Sequence, residues 1–249
     1  MAEIRSHNLS IHYPVTAKPG WKLAGAAVPQ NLVKSGGKNY IHALKKLTFT
    51  VRRGQRVGLI GRNGSGKSTL LRVLGGIYTP TGGRLTTSGQ ISSLFNLTLG
   101  IQPDVSGREN IVIRGLIKGW SRREIARKIP EIIAFSELDS VIDLPIRTYS
   151  DGMRMRLLFA IATSFEPEIL LLDEWIGAGD DRFKEKASKR MNELVDQAGI
   201  TVIASHNRQL LQSVCDIGMW LDAGKMRAFG PIKDVLAEMD EALKVRNPG

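Results

Sequence analysis

The run Gly61-Arg62-Asn63-Gly64-Ser65-Gly66-Lys67-Ser68-Thr69 has the spacing G-x-x-x-x-G-K-S. Glycines at these positions let the chain curl until successive backbone N–H groups face one point. A helix opening there adds the partial positive charge of its N-terminus. Such a loop holds phosphate. Lys67 has the reach for β- and γ-phosphates, and the Ser68 hydroxyl is a hard oxygen ligand for Mg²⁺. A second run, Ile169-Leu170-Leu171-Leu172-Asp173-Glu174, delivers two carboxylates to the end of an apolar strand. Asp173 is suited to hold Mg²⁺ through water, and Glu174 to polarise an attacking water. Together these residues describe a site for a nucleoside triphosphate.

Such chemistry needs a strand before the loop and a helix after it. Arg56-Val57-Gly58-Leu59-Ile60 supplies the strand, and Leu70, Leu71, Val73 and Leu74 the apolar face of the helix. Ile169–Leu172 and Ile200–Ala204 are similar β-rich runs. Continuous apolar strands alternating with helices predict a parallel sheet covered on both faces. Ser106-Gly107-Arg108-Glu109 and Ser121-Arg122-Arg123-Glu124 both predict helix starts through the S-x-x-E capping box. Ile125, Ile129, Ile132 and Ile133 then recur at helical spacing, as do Phe183, Ala187, Met191, Leu194 and Ala198. Ile232, Val235, Leu236, Met239 and Leu243 form a third stripe, and all three predict core. Gly224 marks a hairpin turn, whereas residues 14–40, with Pro14, Pro19, Gly20, Pro29, Gly36 and Gly37, read as an irregular excursion. Residues of roughly 90–160 are expected to be mostly helical, inserted between strand-containing lobes.

A third motif, Tyr149-Ser150-Asp151-Gly152-Met153-Arg154-Met155-Arg156-Leu157, is by itself a helix start with Ser150 as N-cap. Its position between the phosphate loop and the Asp173-Glu174 strand gives it more weight. In that order the motifs resemble the ATP-binding subunit of ATP-binding cassette (ABC) transporters, from about residue 4 to 240. The resemblance implies one α/β domain over residues 1–249. Its P-loop core would have a mostly parallel sheet, with an antiparallel β lobe and a helical subdomain at about 95–160. It also implies ATP and Mg²⁺ as ligands, with Gly61 to Thr69 around the phosphates. Asp180 matches the loop aspartate after the Asp-Glu pair, and His206 the switch histidine that senses the γ-phosphate. Tyr13, with Tyr40 as the alternative, matches the aromatic that stacks on adenine. Lys67, Glu174 and His206 would carry hydrolysis. Two copies would face head to tail, with Ser150 and Gly152 of one meeting the γ-phosphate held by Lys67 of the other.

Departures from the usual pattern point to a branch. Ser150-Asp151-Gly152-Met153 replaces the common Ser-Gly-Gly-Gln, and the run from Tyr149 to Leu157, with Ser106-Gly107-Arg108-Glu109-Asn110, looks like the ATPases that export O-antigen, capsular or teichoic-acid polysaccharides. Asn96 stands where the family usually places a Gln that touches Mg²⁺ and the membrane subunit, and Gln102 is a substitute. The implied partners are an integral membrane permease and a lipid-linked polysaccharide as cargo, with no nucleic acid. The implied place is peripheral, on the cytoplasmic face of the inner membrane. A different cargo (lipid or protein), or a soluble ABC ATPase outside transport, is the rival reading.

Composition sets outer bounds. The chain has 249 residues, 42% hydrophobic and 24% charged, and a net charge of +11. These proportions argue against wholesale disorder. The N-terminus has no apolar segment of the secretory kind, and no run reaches the ~20 apolar residues of a spanning helix, so the chain reads as cytosolic. Cys215 is the single cysteine and is expected to pack. The basic residues read as short clusters, such as Arg122-Arg123 and Arg127-Lys128, on solvated or membrane-proximal helix faces. After the stripe ending at Leu243 only Lys244 to Gly249 remain, so no added polymer-reading module is expected.

Overall fold

The computed structural model describes residues 1–15, 32–35, 38–95, 97–98, 100–174 and 181–246. In chain order the first elements are β1 (Glu3–Val15), β2 (Leu32–Ser35), β3 (Lys38–Arg52), β4 (Arg56–Ile60), α1 (Lys67–Leu74), β5 (Gly82–Ser88) and β6 (Ile91–Ser93). Next come α2 (Gly107–Ile117), α3 (Arg122–Ser136), α4 (Asp151–Thr163), β7 (Ile169–Asp173) and α5 (Asp181–Gln197). The last are β8 (Ile200–Ala204), α6 (Arg208–Val214), β9 (Ile217–Asp222), β10 (Lys225–Pro231) and α7 (Ile232–Arg246). Two compact units result: Met1–Ile91 with Glu168–Glu174 and Gly199–Gly249, and Ser92–Pro167 with Trp175–Ala198.

The first unit holds an antiparallel sheet of order β2-β3-β1-β5. Inward positions on β1 are Ile4, Ser6, Leu9 and Ile11, and the Ser6 hydroxyl donates to the Leu47 carbonyl at 2.8 Å. The step from 6 to 9 exceeds the period of two because the register shifts there, at Asn8 with φ 50°. This bulge returns Leu9 and Ile11 to the buried face. Gly83, φ 75°, lies so close to the Asn8 carbonyl that any Cβ would overlap it. Strand pairing also corrects the expectation of an irregular excursion over residues 14–40. β1 continues to Val15, and Leu32–Ser35 forms β2 against β3, because mutual pairing satisfies their backbone groups. The remainder of that stretch, residues 16–31 and 36–37, lies outside the described residues.

The unit's second sheet has β4 at its centre, parallel to β8 on one side and β9 on the other. β7 extends it in parallel beyond β8, and β10 closes the far edge antiparallel to β9. Its other edge is β6, which starts at the unit's border residue Ile91. Val57, Leu59, Leu171, Val202 and Ile203 are buried, as strands covered on both faces require. The β9–β10 connection is the two-residue turn Ala223-Gly224, both with positive φ.

The second unit is helical. Ser106 and Ser121 form complete capping boxes with Glu109 and Glu124, as expected from their spacing. Ile111, Ile132, Leu138, Ile142, Ile146, Tyr149, Leu157 and Ile161 make its core. Phe135, Phe159 and Phe183 pack ring on ring where α3, α4 and α5 meet.

Candidate functional site

The phosphate loop leaves β4 at Ile60 and ends in α1, at the carboxyl ends of the parallel strands, where open α/β sheets bind ligands. Gly66 is the N-cap of α1, with φ 112° and ψ 0°, and gives that helix no side-chain cap. By contrast, Ser106, Ser121, Ser150 and Asn207 cap α2, α3, α4 and α6 with their side chains. The first N–H groups of α1 are therefore left for a ligand. The loop is braced from outside: Gly224 N–H donates to the Ser65 carbonyl at 2.9 Å, and Lys45 N–H to the Gly224 carbonyl at 2.7 Å. Within it, Ser65 N–H donates to the Arg62 carbonyl at 3.1 Å.

Lys67 is 8% exposed and folds back over the loop, its Nζ donating to the Gly61 carbonyl at 2.7 Å and the Arg62 carbonyl at 3.3 Å. Burial pushes its ammonium below the ordinary lysine range, and the Asp173 and Glu174 carboxylates act against that shift. The buried Ser65 Oγ has no partner among the described residues. An orphan hydroxyl, an uncapped helix and an ammonium resting on carbonyls form a cradle that suits a polyphosphate.

Asp173 ends β7, in register with Ala204 on β8. The Glu174 N–H donates to the Ala204 carbonyl at 2.8 Å, and Glu174 has φ 69°. β8 leads on to His206, whose Nε2 lies 3.7 Å from Glu174 Oε1. Asn63 to Thr69, Ala43, Asp173, Glu174 and His206 line one cleft of about 470 Å³. The Ser68 hydroxyl and Asp173 carboxylate there are hard oxygen donors of the kind Mg²⁺ takes beside phosphate oxygens.

Tyr13 is tied to the loop by a side-chain hydrogen bond with Thr69, and burial raises its phenol above the ordinary tyrosine range despite that bond. Its ring meets Tyr78 edge-on at 5.7 Å. Tyr40 pairs across from Pro14, one residue out of step with Tyr13, and its ring meets His12 at 5.8 Å. The two tyrosines thus serve opposite faces of the sheet, and Tyr13 is the one beside the phosphate loop.

In the second unit Ser150 caps α4, its Oγ accepting from Met153 N–H at 3.2 Å. Gly152 is exposed, with only the Ser150 Oγ within 4 Å of an added Cβ, at 3.9 Å. Tyr149, buried just before them, donates to the Val141 carbonyl at 2.7 Å. This anchor was not among the expected site residues, though its aromatic place before the cap was visible. Gln102 is exposed, its backbone tied to the Asn110 amide at 2.8 and 2.9 Å. Asn96 and Asp180 lie outside the described residues.

A uncapped phosphate loop at strand ends, faced by a strand-end Asp-Glu pair and a histidine, defines a P-loop nucleotide-binding protein. The ABC transporter family model matches residues 44–177. An O-antigen export system ATP-binding protein of Myxococcus xanthus is 46% identical over 85% of this chain and 48% of its own. Another from Yersinia enterocolitica is 42% identical over 87% of this chain and 92% of its own. A teichoic acids export ATP-binding protein of Lactococcus lactis is 37% identical over 85% and 46%. The chain thus spans about half the length of the Myxococcus and Lactococcus relatives and nearly all of the Yersinia one. A solved ATP-binding subunit of an ABC transporter shares the fold at TM-score 0.71 and 23% identity, covering 95% of this chain and 93% of that one. A dimeric cassette bound to ADP and Pi does so at 0.66 and 20%, covering 92% and 98%. The chain belongs to the ABC transporter family, as its ATP-binding cassette.

Proposed function

We propose that this cassette hydrolyses ATP to power export of a lipid-linked polysaccharide of the O-antigen kind through a separate membrane permease. The observation that carries the cargo is the 46% and 42% identity to O-antigen export ATP-binding proteins. The hydrolytic part draws on the cleft that unites Lys67, Asp173, Glu174 and His206. Gly61, Arg62, Asn63, Gly64, Ser65, Gly66 and Thr69 hold the phosphates, and Lys67 turns from its carbonyl partners to the β- and γ-phosphates. Tyr13 stacks on the adenine. Ser68 and Asp173 would hold Mg²⁺, whose charge would offset that of the phosphates. Glu174 orients the attacking water, and His206, 3.7 Å away, contacts the γ-phosphate.

Ser150 and Gly152 complete the site from a second copy, head to tail. The Ser150 oxygen accepts from Met153 N–H, which leaves its O–H to donate to a phosphate, and the exposed Gly152 admits one closely. Asn96 would reach the metal and Asp180 the nucleotide, as the family pattern implies for these two positions. No helix among the described residues is long and apolar enough to cross a membrane. Support for a separate permease comes from the relatives named as ATP-binding proteins of export systems. Leu116 and Ile117, 49% and 61% exposed at the end of α2, offer an apolar contact to such a partner. The cassette then works at the cytoplasmic face of the membrane. Vesicles holding the cassette and its permease should translocate lipid-linked glycan with ATP, and Glu174→Gln should stop both translocation and hydrolysis while ATP binding persists. Hydrolysis within about twofold of wild type, worth only ~0.4 kcal/mol of barrier, would refute the role of Glu174. Hydrolysis without glycan movement would refute the cargo.

A further inference from the structure

Charge along this chain is segregated, which corrects its reading as scattered short clusters. Residues 4–103 contain 14 Lys and Arg and no Asp or Glu. The other residues hold 21 and 24, so the +11 excess arises entirely in the acid-free stretch. That stretch builds β1 to β5, and two of its lysines, Lys45 and Lys46, meet Lys225 and two histidines in a cleft away from the nucleotide cleft. Ser10, His12, His42, Lys45, Lys46, Thr48 and Gly82, with Lys225 and Met226 of β10, line an open cleft of about 680 Å³. Among the described residues, no acidic one lines it.

The cleft is built rather than incidental. His12 and His42 pair in register across β1 and β3, their rings stacked at 5.2 Å. His12 Nδ1 lies 2.9 Å from Thr81 Oγ1, and Lys46 N–H donates to Ser10 Oγ at 3.1 Å. The Phe49–Phe229 ring contact at 6.1 Å keeps β10 beside β3, bringing Lys225 to the same cleft. The like charges disfavour one another: burial and then Lys225 depress the Lys45 ammonium, and burial, His12 and Lys45 depress His42. An anion would remove that repulsion. The nucleotide cleft is elsewhere, since Tyr13, which bonds Thr69, lies on the opposite face of β1 from His12.

We infer that the cleft formed by His12, His42, Lys45, Lys46 and Lys225 is a second anion site, one that takes a phosphoryl group carrying more than one negative charge. Its volume lies in the range of small-ligand sites, and ammonium groups with the Thr48 hydroxyl are suitable partners for phosphoryl oxygens. The group belongs either to a soluble phosphate compound or to an anionic lipid headgroup. This inference does not depend on the export reading.

The test titrates inorganic pyrophosphate into the Lys67→Ala protein, where the phosphate loop no longer competes. Saturable binding should remain, weaken at least tenfold in the added Lys45→Ala/Lys225→Ala background, and survive in Lys45→Arg/Lys225→Arg, which keeps the charge. Sedimentation with vesicles of about 30% phosphatidylserine, against pure phosphatidylcholine, separates the sources. Retention on the anionic vesicles that pyrophosphate reverses and the alanine pair abolishes assigns a headgroup, and pyrophosphate binding without retention assigns a soluble compound. Binding of neither probe, or binding that the alanine pair leaves unchanged, overturns the inference.

Discussion

Substituting alanine at Gly66 and at Gly64 should separate two costs that the phosphate loop combines. Gly64 has φ 77° and nothing within 4 Å of an added Cβ, so Gly64→Ala carries only left-handed strain, ~1–2 kcal/mol. Gly66 has φ 112° and ψ 0°, outside even the left-handed basin, for ~1–3 kcal/mol. Its Cβ would also stand 2.8 Å from the Ala43 carbonyl and 2.9 Å from Leu44 Cδ2, both on β3. A strand carbonyl cannot retreat without shifting the strand, which adds ~1–3 kcal/mol of overpacking. Gly66→Ala should therefore cost ~4 kcal/mol against ~1.5 for Gly64→Ala. For a chain of this size that is roughly 8–16 °C against 3–6 °C in melting temperature. Differential scanning fluorimetry with and without ATP is the assay. Ligand at a hundredfold its Kd adds ~2.7 kcal/mol to a protein that binds it, and Gly66→Ala should lose most of that gain because the donors at the start of α1 are displaced. If the two variants melted within about 2 °C of each other, the steric argument at Gly66 would be wrong.

Lys67→Ala should weaken ATP binding ~10- to 100-fold, the worth of a charge-assisted bond, measured by equilibrium titration with a fluorescent analogue, and unchanged affinity would sink its assignment. Ser150→Arg should leave folding and ATP binding intact but block hydrolysis, because the bulk enters the opposite copy's site. Mixed dimers of Ser150→Arg with Lys67→Ala chains should regain at most one working site, whereas a fully active Ser150→Arg chain would exclude the head-to-tail arrangement. Cys215, 5% exposed, has its thiol pushed up to about 12 by burial first and by Asp216 next. A raised value means that the thiolate is scarce until the pH approaches it, so iodoacetamide at pH 8 should label the folded protein ~1,000-fold more slowly than an ordinary thiol. Labelling at the rate of the unfolded chain would refute that burial.

Legibility in the sequence followed the range of the interactions. Phosphate-loop spacing, both capping boxes and the strands at 56–60, 169–172 and 200–204 rest on neighbours within a few residues, and each was readable. The pairing of β1, β2 and β3 was not, because it joins Leu32 to Ile41 and Pro14 to Tyr40 in a stretch whose prolines and glycines suggest loop. Three register shifts also break the alternation that would have announced β1 and β3. The choice between Tyr13 and Tyr40 needed the register, since only the face of the strand decides which ring reaches Thr69. The basic cleft needed it too: His12, Lys45 and Lys225 are far apart in sequence, although the acid-free run of residues 4–103 was there to be counted.

Glu174 shows most clearly what the fold adds to the motif. An Asp-Glu pair at the end of an apolar strand is a pattern of types, silent about where the second carboxylate goes. Continued β geometry would carry residue 174 onward along β7. Instead Glu174 takes φ 69°, at a strain of ~1–3 kcal/mol for a residue with a Cβ. Its N–H still bonds the Ala204 carbonyl at 2.8 Å, so the ladder reaches one residue past the last paired position while the chain turns. β8 then continues from Ala204 through Ser205 to His206, which stands 3.7 Å from the Glu174 carboxylate. One parallel register thereby sets both groups: Asp173 opposite Ala204, Glu174 bonded to Ala204, and His206 two residues beyond it. Sliding β7 by a single residue against β8 would separate the glutamate from the histidine and exchange the neighbours that its two buried faces pack against. The apolar residues of β7 and β8, buried throughout, oppose that slip, so hydrophobic packing in the centre of the sheet fixes the geometry of the polar groups at its edge.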